Sequence, residues 1–466
     1  MKNYDILIAG ASTTGAWFAK KMAQMGHSVL VIEKQKPENV SREYDIFHMG
    51  KLDMERFDLH IPKEGDDDYG FVFTSGRSYS PYGNYSKYGK ETVIGMHKHE
   101  FIMNMNREAE AAGAKIIYGA AFSDFLKDEK GNIIGAKYIT DEGEQQVEAK
   151  LVADCTGIPS AARRKLPDNA YVENFALTPE DIFYVVLYYA KYIDEKINPM
   201  DHHGFFMQYK SWSAPSGDDH GAILGVGSNY SYEYAEEIFN RDWKKNVPWP
   251  KYTVEKVEKG MTPYHRTLYS FVEDGFIAMG DTAFLTKPTC GEGCTSSLFQ
   301  AEIAVEVISK LLKEGKPLTK ENMWSINKRY YQVQGKDFDA LRPLLIGIIS
   351  FNYDEAEYLF KHDVLFSQKI LGGMGQELQF TPADIAKIVS GITAGLATGK
   401  LKMSSIKKVV NGLMQNMEVA KLYDEYPDSP AGYFSWKAKA DELWKKVGKA
   451  ADTCDPEILR KLGIMN

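Results

Sequence analysis

The chain has 466 residues, 44% apolar and 26% charged, which suits a globular protein of two or three domains. A net charge of −8 argues against a nucleic-acid binder, which needs a basic surface against phosphate. Four cysteines (Cys155, Cys290, Cys294 and Cys454) are too few for a disulfide framework in a chain this long and point to a reducing cytoplasm.

Tyr4-Asp-Ile-Leu-Ile-Ala9 predicts a short buried parallel strand that passes straight into a glycine turn, so no signal peptide is expected. Ala16 to Met25 predicts a helix stopped by Gly26, and Ser28 to Ile32 a second buried strand ending at Glu33. This is a βαβ opening of roughly 30 residues, the usual size of the unit. Residues 37–95 carry many Tyr, Gly and Ser and little helical period. Strands and loops are expected there, with Glu64-Gly-Asp-Asp-Asp68 as a solvated loop.

Glu100 to Ala112 predicts a helix and Ala114 to Tyr118 a strand. Residues 121–147 alternate apolar and polar around a turn at 129–132, as an antiparallel meander does, and Leu151 to Asp154 predicts a further buried strand. Residues 166–265 are rich in aromatics, among them Phe183, Tyr184, Tyr188, Tyr189, Phe205, Phe206, Tyr209 and Trp212, and their alternation predicts a half-buried sheet. Residues 276–312 return to strand, Gly-Asp, loop and helix; beyond Lys320 the chain reads as helical. The longest apolar run, near Leu344–Ile349, is too short to span a bilayer.

Gly10-Ala-Ser12-Thr13-Thr14-Gly15 is a dinucleotide fingerprint without its middle glycine. The first Gly permits a tight turn, the last permits close helix packing, and Ser12 is small enough to let backbone approach a pyrophosphate. The helix start offers free N–H groups and a positive dipole end. Glu33, followed by Lys34, can accept ribose hydroxyls and disfavours a 2′-phosphate, so the turn suits FAD or NAD rather than NADP. The bland alternative is a strand-to-helix turn without a ligand.

Asp154-Cys-Thr156-Gly157 with Ser160 and Arg163-Arg164, then Phe276-Ile-Ala-Met-Gly280-Asp281-Thr-Ala, then Pro288-Thr-Cys-Gly291-Glu292-Gly293, resemble the FAD motifs of the p-hydroxybenzoate-hydroxylase structural superfamily. Pro215-Ser-Gly-Asp and Gly225-Val-Gly227 resemble the mid-domain strand pair of its geranylgeranyl reductase-like branch. The likeness runs from residue 1 to about 315, with the motifs in the same order. It implies an α/β protein, α+β overall: a Rossmann-like FAD-binding domain, an inserted mixed β-sheet substrate domain and a helical C-terminal region. The expected division is 1–165 and 266–318 for the FAD domain, 166–265 for the substrate domain and 319–466 for the helices.

The resemblance implies that Asp281 binds the ribityl chain of a non-covalent FAD. It implies that Gly280, Thr156 and Gly157 belong to the same site and that Gly291, Glu292, Gly293 and Cys294 pass close to the isoalloxazine. The dipole of the helix beginning near Cys294 would then favour the anionic reduced ring. Relatives usually have Arg where this chain has Lys98, which keeps the charge but not the bidentate geometry. The Gly-x-Asp-Gly motif of the aromatic monooxygenases and the WxWxIP pattern of tryptophan halogenases are both missing. The implied activity is FAD-dependent hydride transfer to or from an unsaturated, apolar, prenyl- or aromatic-like small molecule. No second dinucleotide fingerprint is visible, so electrons would come from transiently bound NAD(P)H or from an electron-carrier protein. The rivals are an aromatic monooxygenase on the same fold and a non-catalytic prenyl-ligand carrier of the GDI type.

Weaker signals have plainer readings beside them. Cys294 could be a thiol of depressed pKa at a helix start, or could pack the loop with Cys290, as buried Cys usually does. His265 and Arg266 precede the second FAD strand and are candidates for catalysis, with a structural loop as the alternative. Arg42 sits where relatives approach the flavin; it could meet phosphates or cover the surface. His202-His203 and His220 lack metal-ligand spacing, and no metal is expected. The Lys-bearing stretch 385–410 could rest weakly on a membrane surface or be a solvated helix face.

Overall fold

Strand β1 (Asn3–Ala9) is apolar on both faces and pairs in parallel with β2 (Val29–Glu33), with helix α1 (Thr13–Gln24) crossing between them. In this computed structural model, which describes residues 3–193, 203–204, 210–216, 221–246, 250–369 and 381–465, that unit nucleates an eight-stranded sheet. On one side β2 pairs with β6 (Lys115–Tyr118). On the other, β1 pairs with β9 (Gly143–Asp154), β9 with β16 (Phe276–Ala278), and β16 with β15 (Val272–Glu273). Ile6, Leu7, Ile8, Val152, Ala153 and Ile277 are fully buried, which is the signature of a parallel sheet covered on both faces.

The expected separate strand at Leu151–Asp154 is the second half of β9. Its first half pairs antiparallel with β8 (Ile133–Thr140), itself paired with β7 (Ala121–Lys127). From Asn3↔Glu148 onward β9 runs parallel to β1. The change from alternating to fully apolar residues marks a change of neighbour, and no turn is needed there.

Residues between β2 and β6 build a second layer. β3 (Ile46–Gly50) leads into a short helix α2 (Lys51–Arg56), and β4 (Tyr69–Tyr79) and β5 (Ser86–His97) form a long hairpin that passes directly into α3 (Lys98–Ala111). Their sheet order is β11-β4-β5-β3, where β11 is His203–Gly204. The third sheet, β12-β13-β10-β14, is antiparallel and holds Lys210–Ala214, Gly221–Ser228, Ile182–Tyr192 and Tyr252–Pro263. β10 alternates as expected. Val186, Tyr188 and Ala190 pack toward helix α4 (Tyr232–Ile238), while Val185, Leu187 and Tyr189 face Ile46, Phe71 and Phe73 of the inserted sheet. Phe205, Phe206, Tyr209, His202, His220 and the side chain of His203 lie outside the described residues.

Beyond α5 (Cys294–Lys313) the described chain is helical, with α6 (Lys336–Ile349), α7 (Tyr353–Lys361), α8 (Pro382–Ala397), α9 (Met403–Asp424) and α10 (Tyr433–Trp444). α9 lies close against α6, because a Cβ on Gly412 would come within 2.5 Å of Pro343 O. The tail is bolted to the stretch before β15 by Thr267 N donating to Asp339 Oδ1 (3.1 Å) and Tyr426 Oη donating to Tyr269 O (2.7 Å), while Tyr423 Oη, donating to Asp339 Oδ2 (2.8 Å), ties α9 to α6. Among the described residues no helix is long and apolar enough to cross a membrane.

Candidate active site

The sheet brings three motifs to one edge. Ala9 pairs with Asp154, and Asp154 with Ala278, so Gly10, Cys155 and Gly280 leave neighbouring strands at their carboxyl ends. β1 lies where the strand order reverses, the place where open α/β sheets form a ligand crevice.

Sterics govern the first motif. Gly10 has φ +104°, and a Cβ there would meet Cys155 O at 2.3 Å. A Cβ on Gly15 would lie 2.0 Å from Gly10 O. Neither position admits a side chain. Ser12 precedes α1 without capping it, so the first N–H groups of the helix face the crevice uncapped. The Glu33 carboxylate accepts from Ala11 N at 2.9 Å and Gln35 N at 2.8 Å, which fixes it at the mouth with lone pairs left for hydroxyl donors. Asn106 of α3 donates to Ala11 O (3.0 Å) and holds the turn from outside.

Asp154 is fully buried and satisfied locally. It accepts Thr156 N (2.9 Å), Thr156 Oγ1 (2.7 Å), Ala162 N (2.9 Å) and Arg163 N (2.7 Å). Its work is to shape the loop, while Gly157 turns with φ +74° and its carbonyl accepts from Thr282 Oγ1 at 3.1 Å. That bond ties the middle motif to the last one.

Electrostatics govern the last motif. Burial pushes the Asp281 carboxyl up to about 6, against the pull of Lys98. Among the described residues no group donates a hydrogen bond to that carboxylate, and the side chain keeps partial solvent access. Lys98 donates to Glu43 Oε2 (2.9 Å) and sits 4.0 Å from the centre of the Tyr44 ring. Burial works against its charge, but Tyr44 and Glu43 outweigh it and raise its pKa above the ordinary lysine value. The loop from Lys287 closes by Gly291 N donating to Lys287 O (2.9 Å) and Lys287 N to Glu292 O (2.7 Å). Glu292 Oε1 accepts from Thr295 Oγ1 (2.7 Å), at the first turn of α5. The two halves touch through α1: Thr14 Oγ1 would be 2.9 Å from a Cβ on Gly280, and Thr13 meets the Cys294 thiol.

The Cys294 thiol is not depressed. Burial, with Glu292 and Asp281 nearby, pushes it up to about 12, because desolvation outweighs the helix dipole. His265 and Arg266, the two candidates for catalysis, are both engaged by neighbouring side chains and backbone. Arg266 donates to both oxygens of Glu173, at 2.9 and 2.6 Å. His265 packs on Phe175 and Phe284 with Nδ1 2.8 Å from Arg266 O, and burial beside that cation lowers its pKa to about 4. Arg42 lies on the rim, half exposed, with Nε donating to Glu38 O (2.7 Å) and Nη2 3.7 Å from Glu100. Lys34 is exposed and contributes to the positive field that keeps Glu43 ionised.

Sequence reasoning missed Glu43, Tyr44 and Lys210. His48 alternates outward from β3 and keeps solvent access, and desolvation with the Lys210 charge nearby lowers its pKa. Lys210 Nζ donates to Cys290 O at 2.6 Å, and desolvation lowers its pKa. Alternation in β3 and β12 could have put both on one face, but not on facing sheets. Between those sheets the walls are apolar: Phe73, Val185, Tyr189 and Trp212 are partly buried around the Ile46–Phe71 cluster.

FAD fits these residues. Two glycines exclude side chains from a phosphate path, two uncapped helix starts face the crevice, and Asp281 has an unmatched acceptor for a hydroxyl-rich chain. Residues 3–317 match the family described as FAD binding domain. The chain belongs to that family.

The match spreads beyond one domain. The digeranylgeranylglycerophospholipid reductase of Sulfolobus acidocaldarius is 22% identical over 470 residues, covering 96% of this chain and 98% of the relative. That of Methanosphaerula palustris is 27% identical over 342 residues, covering 67% and 78%. A geranylgeranyl bacteriochlorophyll reductase-like protein of Thermoplasma acidophilum superposes with a TM-score of 0.64 at 18% identity, over 90% of this chain and all of that one. A flavin-dependent brominase shares the fold at TM-score 0.59 and 16% identity, over 84% of this chain and 94% of its own. The protein is an FAD-dependent oxidoreductase of the geranylgeranyl reductase-like branch.

Proposed function

We propose that this reductase saturates carbon–carbon double bonds of a prenyl-type lipid held between the two β-sheets. The observation that carries the reading is the apolar seam between the sheets, where Phe71 and Phe73 pack with Val185, Leu187, Tyr189 and Trp212, close to Lys210 and the Cys290 carbonyl it donates to. Bound FAD supplies the hydride chemistry. The chain's part is to hold and enclose. Gly10 to Gly15, Glu33 and α1 would hold the adenosine and phosphate end, and Asp281 would accept from ribityl hydroxyls. Gly291 to Gly293 and the start of α5 would meet the ring. The apolar walls would exclude water and orient an unsaturated chain. Reducing equivalents would come from NAD(P)H bound in passing or from an electron carrier.

A weak lipid-surface contact belongs to the same proposal. Met403, Val410, Met414 and Met417 recur on one face of α9 and are each half or more exposed. Lys400, Lys402, Lys407 and Lys408 are exposed close by and form no ion pair among the described residues. A cytoplasmic location is proposed with it; the free thiols Cys155, Cys290, Cys294 and Cys454 support a reducing compartment.

The test is anaerobic. Dithionite-reduced protein is mixed with a geranylgeranyl lipid, and the product is weighed by mass spectrometry. A gain of two hydrogens per reduced bond with reoxidation of the flavin is expected. Product that forms only with oxygen and carries a hydroxyl would favour the monooxygenase. Colourless protein that binds the lipid unchanged would favour a carrier.

A further inference from the structure

Away from the cofactor crevice, the loop between α2 and β4 gathers three ligating side chains. His60 Nε2 is 3.6 Å from Asp66 Oδ2 and 3.7 Å from Asp68 Oδ1, and the three ligating atoms all lie within 4.8 Å of one another. Acidic residues on a surface turn would mean little by themselves. Asp68 is the exception, because its side chain is only 1% exposed. Its Oδ2 accepts from Asn104 Nδ2 of α3 at 2.9 Å, and its carbonyl accepts from His97 N at 3.0 Å. Its Oδ1 is buried, has no hydrogen-bond partner, and is aimed at His60. A buried carboxylate oxygen without a partner is an unusual and costly feature.

The spacing suits a cation rather than a direct bond. Distances of 3.6 and 3.7 Å are too long for hydrogen bonds. Ligands around a tetrahedral metal with bonds of about 2.0–2.2 Å stand roughly 3.3–3.6 Å apart, so a small rotamer change closes the shell. One imidazole nitrogen with two carboxylates selects a borderline transition metal over calcium or magnesium, which take oxygen ligands.

We propose that His60, Asp66 and Asp68 form a binding site for a divalent transition metal of the zinc or manganese type, with water completing its shell. The site is structural. Asp68 is tied to α3 and to the end of β5, so the metal pins the loop against the start of α3, where Lys98 stands.

The FAD-loaded protein is stripped with chelator, dialysed against zinc or manganese and assayed for metal per chain, with Mn2+ also followed by electron paramagnetic resonance. Close to one metal per chain and a higher melting temperature are expected. His60→Gln changes an exposed side chain, so it should fold and keep its flavin while affinity falls roughly tenfold or more. Asp68→Asn is the second variant and should lose the site too. Equal metal content in wild type and His60→Gln means an adventitious ion only and overturns the site, as does a wild type that retains none. Flavin content is read in parallel, so failure of the metal site stays separate from failure of the reductase reading.

Discussion

At the Gly10 turn an added methyl group would sit 2.3 Å from Cys155 O, whereas at Gly291 the nearest atom would be Thr262 Cγ2 at 3.5 Å. The contrast extends to charge. Around Gly10 the polar groups are backbone N–H and C=O, with Glu33 anchored by two of them. Around Gly291 to Cys294 stand Asp281, Glu292, Lys98 and a thiol, with perturbed acidities at three of the four. One half of the crevice is a rigid steric mould, which suits the invariant ADP portion of a cofactor. The other is an electrostatic chamber, which suits a ring whose charge changes during turnover.

The largest effect is expected where sterics rule. Gly10→Val should cost roughly 2–6 kcal/mol from overpacking and a disallowed φ and leave the protein without flavin, while Gly291→Ala, strained only by its φ of +77°, should cost about 1–3 kcal/mol and stay yellow. Flavin absorbance and thermal melts compare them. Equal losses in both variants would erase the distinction between mould and chamber.

Asp281→Asn should come next. Losing a charged acceptor for the ribityl chain should weaken FAD binding by roughly 10–100-fold, read by fluorescence titration of the apoprotein. The same residue sets a pH effect. Its folded pKa of about 6 lies above the unfolded value, so the folded chain binds the proton more tightly. Apoprotein stability should therefore fall as pH rises from about 4 to about 6, by up to roughly 2–3 kcal/mol, and Asp281→Asn should flatten that slope. A slope that the variant leaves intact would assign it elsewhere.

Glu33→Ala should both weaken FAD binding and lower stability by about 1–3 kcal/mol, because Ala11 N and Gln35 N lose their acceptor. That revises the simpler expectation of a ribose contact alone. Cys294→Ser should change FAD affinity by less than about threefold, and the wild-type thiol should resist iodoacetamide at mild alkaline pH, since burial holds it protonated. Rapid alkylation of Cys294 would restore the dipole-activated thiol.

Much of this architecture was legible along the chain. The βαβ opening, the helix into which β5 runs, the strand after residue 275 and the α5 helix follow from period and glycine punctuation, which are local properties. Residues 121–154 were half legible: alternation gave the meander, but β9 continues through the point where its neighbour changes, and no local signal marks that exchange. His265 and Arg266 carried chemistry by type, yet Glu173 and Arg266 pair across 93 positions, a partnership no local pattern carries. Lys98 was singled out for its charge, but Glu43 and Tyr44, which set its environment, were not.

By itself the sequence determined the glycine fingerprint and the βαβ opening around it, which depend on short runs whose backbone geometry is dictated by glycine, branched side chains and hydrophobic period; the FAD motifs and the full fold class came from its resemblance to a known family. Only the tertiary structure decided that Gly10, Asp154 and Gly280 share one sheet edge, that Asp281 is an acid near neutrality rather than a plain carboxylate, and that His48 and Lys210 face each other across two sheets. Those outcomes depend on burial and on through-space fields between residues far apart in the chain, which spacing along the sequence does not encode.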